Sequence, residues 1–371
     1  MDKIIKFYQL FNEITQPTLI VNEAICRENI QKMAAKAKRN GVLFRPHFKT
    51  HQSSSIGEWF RDEGVRAITV SSVKMAVNFA KNGWRDITIA FPVNILEIHT
   101  IDQLAAKIKL TLIVDQIETV NYLNDQLSNN VGLMIKIDTG YNRAGINATN
   151  FKLIQQLIDS ISEGSKTNFA GFLAHAGHSY ACRNINDIQE VHVESKNKLQ
   201  ELKDMFVNQY PGIIISVGDT PTCSTMEDFS WADEIRPGNF VFYDLSQVSI
   251  GSCKIEDIAV VLACPVVSIY KEQNKFIIYG GGVHFSKEVH PDKTDNFGRL
   301  ISLNKGNWEI IEPVVQLKKL SQEHGIITAS KSFIEQINIG DLVYILPIHS
   351  CMTANLIDNF LTTNGTKLHK A

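Results

Sequence analysis

The chain has 371 residues, 44% of them hydrophobic and 20% charged, which suits a folded globular protein large enough for two domains. A formal net charge of −2 leaves no footprint for nucleic acid or an anionic membrane, and no apolar run reaches the length of a bilayer span. Six cysteines without close pairing read as reduced thiols of a cytoplasmic protein.

The first stretch, residues 1–16, mixes Asp2, Lys3, Lys6 and Glu13 into an apolar pattern and predicts an amphipathic surface helix, not a signal peptide. A strand is expected at 18–21, followed by a helix that Asn22 caps and Gly41 ends. Strands are then predicted at 42–48, 67–71, 86–91, 110–115, 131–138, 169–175, 213–218 and 232–236. Helices at 73–82, 94–108, 116–127, 150–162 and 184–208 fall between them. This rhythm is that of parallel strands with crossover helices, an α/β fold of the (β/α)8 TIM-barrel type. One strand is surplus, and 18–21 is assigned outside the ring. After Asp244 the texture becomes hairpin-like: 258–263, 265–270, a polar turn at 271–274, and 276–279, with further strands near 324–328 and 342–346. The expected division is a barrel over 18–244 and a mostly β domain from 245 to the end. Gly280-Gly281-Gly282 follows a strand and leads into no helix, so it reads as a turn and not a nucleotide loop.

Arg45-Pro46-His47-Phe48-Lys49-Thr50-His51 ends the 42–48 strand. Pro46 lacks a ladder donor, so the backbone is expected to leave the sheet there. Lys49 then sits at the carboxyl rim, where barrels build active sites. A lysine held against a low-dielectric wall loses proton affinity and becomes able to form a Schiff base. Read alone, the cluster also fits a surface turn with a solvated lysine.

This heptad resembles the cofactor-lysine motif of the D-threonine aldolase and D-serine dehydratase family. These are fold-type-III pyridoxal 5'-phosphate (PLP) enzymes related to alanine racemase. Further motifs match in the family's order. Asp138-Thr139-Gly140-Tyr141-Asn142-Arg143-Ala144-Gly145 is similar to its Asp-Thr-Gly-x-x-Arg-x-Gly segment, which implies Arg143 near the cofactor's phenolic oxygen. By itself that loop also fits a turn in which Asp138 and Arg143 pair. Phe172-Leu173-Ala174-His175-Ala176-Gly177-His178-Ser179-Tyr180 implies His175 behind the pyridine ring and Tyr180 beside the cofactor. Gly218-Asp219-Thr220 implies a phosphate loop built of backbone N–H groups and a hydroxyl. Asp219 stands where the family commonly has a small hydroxyl residue. A carboxylate aimed at a phosphate would repel it, so Asp219 is expected to offer only its backbone. Glu234-Ile235-Arg236-Pro237-Gly238 is similar to the family's Arg-Pro-Gly segment and implies Arg236 near the pyridine nitrogen, with Tyr243 toward the phosphate. Structurally, Arg236 could instead pair with Glu234 or Asp233.

Pro347-Ile348-His349-Ser350-Cys351 is expected to place His349 and Cys351 on one strand face, where imidazole and thiolate can share a zinc-like ion, although by itself such a pair also fits ordinary packing. The segment resembles the metal site of the D-serine dehydratases, which implies a divalent metal such as zinc, manganese or magnesium. Some D-threonine aldolases carry an acidic residue in place of the cysteine, so Cys351 favours dehydration.

The resemblance implies an alanine racemase-like barrel with a second, mostly β domain, which residues 1–17 would join. It implies a PLP- and metal-dependent lyase for small D-3-hydroxy amino acids, D-serine dehydratase-like or D-threonine aldolase-like. Lys49 would hold the cofactor and, in the dehydratase version, take the alpha proton; in the aldolase version a base near the metal, with His51 and His178 as candidates, would take the hydroxyl proton. A homodimer is expected, with no nucleic-acid or membrane partner. An amino-acid racemase or a non-catalytic PLP-binding protein are the alternatives. The first needs a second base and no metal, and the second needs neither the β domain nor His349 and Cys351.

Overall fold

Thr18–Val21 (β1) buries all four of its residues, as a strand inside a sheet requires. In the computed structural model, which describes residues 13–290, 296–304 and 307–371, this strand pairs antiparallel with Val260–Tyr270 and parallel with Phe360–Thr362. The chain divides into two compact units. One ends at Ile30 and resumes over Asn239–Lys370; the other is Gln31–Gly238 with Ala371. These bounds correct the expected 18–244. Both edges of β1 are taken by strands of the β unit, and residues 239–244, Tyr243 among them, go with that unit too. The helix expected over 1–16 lies outside the described residues up to position 12, and 13–16 are not helical.

Glu23–Arg39 (α1) starts where expected: Asn22 Oδ1 accepts from the Ile25 N–H at 3.1 Å. Gly41 follows at φ +67°. The barrel strands are Leu43–Phe44 (β2), Ala67–Val70 (β3), Asp86–Pro92 (β4), Lys109–Val114 (β5), Val131–Asp138 (β6), Thr167–Ala174 (β8), Ile214–Val217 (β9) and Glu234–Ile235 (β10). A short strand, Ile146–Asn147 (β7), pairs beside β6. The order β2-β10-β9-β8-β6-β5-β4-β3 is parallel throughout. Helices connect the strands, including Ser54–Asp62, which the sequence pattern did not signal and whose cap, Ser53 Oγ, accepts from Ile56 N–H at 3.3 Å.

The ring closes through the segment where the backbone was expected to leave it. His47 bridges Thr69; Thr69 N–H donates to the Pro46 carbonyl at 2.9 Å, and Phe48 N–H donates to the Thr69 carbonyl at 2.9 Å. Pro46 lacks a donor but keeps its acceptor, and the acceptor is the group the ladder uses here. Inside the barrel, Ile113, Met134 and Leu173 pack with Ala90, Ala170 and Ile214. Each fully buried aliphatic side chain contributes about 1.5–3 kcal/mol. Side chains alternate along a strand, so two residues beyond Met134 on β6 comes Lys136, and the same step from Ser216 on β9 reaches Gly218.

The β unit adds Val260–Tyr270 (β11), Lys275–Tyr279 (β12), Gly298–Asn304 (β13), Asn307–Ile310 (β14), Gln316–Leu320 (β15), His324–Thr328 (β16), Leu342–Pro347 (β17), Phe360–Thr362 (β18) and Lys367–Leu368 (β19). Together with β1 they form a sheet of ten strands among the described residues. The two strands expected at 258–263 and 265–270 are one, β11, which bends at a bulge between Val266 and Ser268, next to Pro265. All six cysteines are free, and no described helix is long and apolar enough to cross a membrane.

Candidate active site

Lys49 lies in the turn just past the closing bridge, with its backbone N–H 3.3 Å from His47 Nδ1. Its side chain is exposed, not pressed against an apolar wall as expected. The buried members of the heptad are its neighbours. Phe48 is fully buried, and its ring lies 4.5 Å from the His51 ring. Burial pushes the His51 imidazole down to about 3, and its Nδ1 accepts from the Ser53 N–H at 3.0 Å, as an unprotonated nitrogen can. Sealed against Phe48, Phe60 and Phe79, His51 is a packing residue and not a base. His178, in contrast, has both ring nitrogens without a partner.

The rim beside Lys49 carries His175. Its Nδ1 is 2.8 Å from the Gly218 carbonyl oxygen, which fixes the proton on Nδ1. Burial, and then the nearby charges of Lys49, Lys136 and Arg143, push its pKa down to about 3, against that hydrogen bond. Tyr141 stands edge-on to His175 with ring centroids 6.0 Å apart, and the Arg143 guanidinium lies over the Tyr141 ring at 4.9 Å. Tyr180 approaches His175 from elsewhere, at 6.2 Å between centroids. Asp138 does not pair with Arg143. Its Oδ1 accepts from the Gly140 and Tyr141 N–H groups, each at 2.9 Å, and so shapes the turn. Gly177 must lack a side chain, because a Cβ there would lie 2.4 Å from the Tyr141 ring.

The loop after β9 holds the next three expected residues. A Cβ on Gly218 would come within 2.6 Å of the Arg236 backbone, so only glycine lets the two strands close here. Asp219 turns its carboxylate inward as expected. Oδ1 accepts from Thr222 N–H at 2.9 Å and Ser179 Oγ–H at 2.7 Å, and Oδ2 accepts from Thr222 Oγ–H at 2.7 Å. Burial raises its pKa in spite of these bonds. Thr220 N–H donates to the Tyr180 hydroxyl at 3.3 Å, while the buried Thr220 Oγ1 has no partner. The following helix, Thr220–Thr225, is held at its far end by Lys36, whose buried Nζ donates to the carbonyls of Cys223, Ser224 and Met226 at 3.0, 3.2 and 2.7 Å.

Arg236 is buried and has no direct carboxylate partner. Asp233 is taken by Lys203, and Glu234 by Arg45, at 2.7 Å in each case. Arg236 Nη2 donates to the Ala174 carbonyl at 2.6 Å, and Nε donates to Ser216 Oγ. Burial lowers its pKa to about 10, which leaves it charged at neutral pH. Lys136, which the sequence reading passed over, is buried close enough to feel both Arg236 and Arg143. Burial first, then those two charges, push it down to about 7.

The β unit carries the remaining expected residues. His349 and Cys351 do not alternate on a strand. The strand ends at Pro347, His349 is the N-cap of the helix Ser350–Leu356, and Cys351 lies in its first turn. The helix turn brings imidazole and thiol together just as a strand face would have. His349 Nδ1 lies 2.8 Å from Glu288 Oε2, and Asn239 Nδ2 donates to Cys351 Sγ at 3.3 Å. Burial opposes charge on His349, but hydrogen bonds to Cys351 and Glu288 prevail and lift its pKa to about 11. The surroundings therefore favour positive charge at this point. Among the described residues no third His, Cys, Asp or Glu completes a ligand group. Tyr243 sits in this unit at φ +47°, with its N–H donating to the Asn239 carbonyl at 2.7 Å.

Within the barrel unit the expected residues therefore fit a phosphorylated ring. An orphaned buried hydroxyl at Thr220 and a side-chain-free loop at Gly218 suit a phosphate, and His175 offers a neutral face. An imidazole and a thiol held in one helix turn suit a borderline-soft divalent ion. Sequence reasoning missed Ser216, Lys136 and Tyr141, and named Glu234 only as a direct partner of Arg236. The one signal was spacing: Glu234 and Arg236 stand two apart on one strand face, as do Ser216 and Gly218.

Known proteins share this organisation. The family described as "Alanine racemase, N-terminal domain" matches residues 21–246, and the one described as "Putative serine dehydratase domain" matches residues 259–363. A D-serine dehydratase from Dictyostelium discoideum is 30% identical over 95% of this chain and 94% of its own. The D-threo-3-hydroxyaspartate dehydratase of Delftia sp. HT23 is 27% identical over 91% of each chain. Its solved structure has a TM-score of 0.89 at 25% identity, covering 98% of both chains. A cysteine-to-alanine variant of that dehydratase, described as its metal-free form, also has a TM-score of 0.89, at 24% identity over 100% of this chain and 99% of its own.

Proposed function

We propose, for a chain that belongs to the D-serine dehydratase and D-threonine aldolase family of alanine racemase-like proteins, that it is a PLP- and divalent-metal-dependent lyase that dehydrates small D-3-hydroxy amino acids. One observation carries the reading. The same chain has a barrel rim fitted to a phosphorylated ring and, in its β unit, an imidazole and a thiol held together at 349 and 351.

When bound, PLP supplies an electron sink for the charge left at the substrate's alpha carbon. A divalent ion on His349 and Cys351 supplies a Lewis acid for the β-hydroxyl. Lys49 provides the amine for the cofactor's aldehyde and the base for the alpha proton. Exposure leaves its side chain free to swing between the two tasks. His175 stays neutral, with its ring held by the Gly218 carbonyl, and so supports a flat aromatic neighbour without adding charge. Thr220 and Gly218 would hold the phosphate, with Arg143 and Tyr180 as further residues for the cofactor. Tyr243 is a further candidate for the phosphate. Arg236 is a donor only and accepts no proton, so facing the pyridine nitrogen it would leave that nitrogen unprotonated and the cofactor a weaker electron sink. Help at the leaving hydroxyl then matters more, which is the reason for the metal pair.

Product analysis tests the reading. With D-serine the expected products are pyruvate and ammonia, and with D-threonine 2-oxobutanoate and ammonia. Glycine with an aldehyde would assign the aldolase reaction instead, and the L-enantiomer a racemase.

A further inference from the structure

Arg236 is buried at the rim, and the nearest carboxylate in sequence, Glu234, does not touch it. The two are joined through a third residue. Ser216 Oγ accepts from Arg236 Nε and donates to Glu234 Oε1, the latter at 2.6 Å. Glu234 Oε2 in turn accepts from Arg45 Nε at 2.7 Å, and Arg45 Nη1 donates to Asp86 Oδ1 at 2.6 Å. Every side chain from Arg45 to Arg236 in this chain is buried, with Ser216 at 0% exposure. The hydroxyl has one proton, and both its acceptor and its donor role are filled. Guanidinium and carboxylate thus alternate in sign through the barrel, with Ser216 as the only uncharged link. The far end borders a cavity of about 470 Å³ lined by Arg45, Glu234, Thr88 and Thr111.

We propose that Ser216 and Glu234 are positioning residues for Arg236: they fix which edge of the guanidinium is presented at the rim. Nε is committed to Ser216 Oγ, and Nη2 to the Ala174 and Ser216 carbonyls. Among the described residues Nη1 has no hydrogen-bond partner, which leaves it as the donor for a ligand. A direct Arg–carboxylate fork would have used two nitrogens and turned the plane toward Glu234. The serine relay holds the charge while leaving one edge free. Glu234 is drawn to Arg45 at its other oxygen, so it acts on Arg236 through the hydroxyl and not by direct neutralisation.

This inference rests on the cofactor reading above, in which Arg236 faces the pyridine nitrogen. The test uses the PLP-loaded full-length protein and three variants, Ser216→Ala, Ser216→Thr and Glu234→Gln. Two readouts are followed: the pH titration of the bound cofactor's visible absorbance, and the division of any rate loss between kcat and KM for D-serine. Ser216→Ala is expected to move the absorbance titration by about one pH unit or more and to lower kcat roughly 10-fold or more, with KM changed far less. Ser216→Thr keeps the hydroxyl and should restore both. Glu234→Gln should move the titration in the same direction. If Ser216→Ala is loaded and folded but titrates like the parent, the positioning role is wrong while the cofactor reading stands. If the parent itself takes up no cofactor, both readings fall together.

Discussion

His175 and Gly218 each come directly after one of two adjacent barrel strands, and the imidazole Nδ1 of the first lies 2.8 Å from the carbonyl oxygen of the second. That bond requires a proton on Nδ1 and leaves Nε2 bare. Burial holds the ring neutral down to about pH 3. Nitrogen-detected NMR of labelled protein should therefore show the Nδ1–H tautomer unchanged from pH 8 to about pH 5. A resonance titrating near the ordinary histidine value of about 6.5 would contradict the assignment.

The same depression at His51 has a consequence for stability. An unfolded histidine takes up a proton near pH 6.5, while the folded His51 does so near 3. The unfolded state therefore binds more protons between those values, and stability, full above about 6.5, falls as pH drops toward about 3. His51→Phe keeps the aromatic packing and removes this penalty. Its denaturation free energy should fall less steeply than the parent's between pH 7 and 4, with a difference of about 1–3 kcal/mol at the acid end. Parallel curves for the two proteins would show that His51 is not a buried neutral group.

Lys136 should behave in the opposite part of the pH range. Burial, Arg236 and Arg143 hold its folded pKa at about 7, against about 10.4 in an unfolded chain. Below about 7 the fold carries a buried charge at a cost, and that cost disappears as pH rises toward about 10. Lys136→Met should therefore be more stable than the parent at pH 6, by ~2–4 kcal/mol, and lose that advantage by pH 10. An advantage independent of pH would mean the amine is never neutral in the fold.

Lys36 closes the helix Thr220–Thr225 by donating to three of its terminal carbonyls. Lys36→Met removes a buried charged donor and leaves those oxygens unsatisfied. The expected loss is ~2–3 kcal/mol of stability, together with weaker PLP binding, because the helix carries the Gly218–Thr220 loop at its start. Urea denaturation and cofactor titration would measure the two effects. A stability loss with unaltered affinity would separate the helix from the phosphate loop.

Much of this was legible before any coordinates. Hydrophobic runs bounded by polar turns located the eight barrel strands to within a few residues, because buried parallel strands must be apolar on both faces. The resemblance of the chain's short motifs to the family's pointed to Lys49, His175, Gly218 and Arg236, each of which lies past the end of a barrel strand. What the pattern could not show was pairing at long range. Strand 18–21 reads like any barrel strand, and only its partners at 260–263 and 360–362 place it in the β unit. Glu234 could have joined Arg236, two residues away, but Arg45, 189 residues distant in sequence, holds it instead. The form of the 349–351 segment was likewise misread, because Pro347 ends the strand two residues before His349 and Ser350 opens a helix.

In the proposed reading, Cys351 and His349 would carry the step that separates a dehydratase from a racemase, so metal dependence of turnover tests it most directly. PLP-loaded protein would be treated with a chelator, dialysed, and assayed for pyruvate release from D-serine before and after zinc is returned. Loss of pyruvate on chelation, recovery with zinc, and neither metal uptake nor recovery in Cys351→Ala is the predicted result. Pyruvate release that continues undiminished in metal-free protein would contradict it.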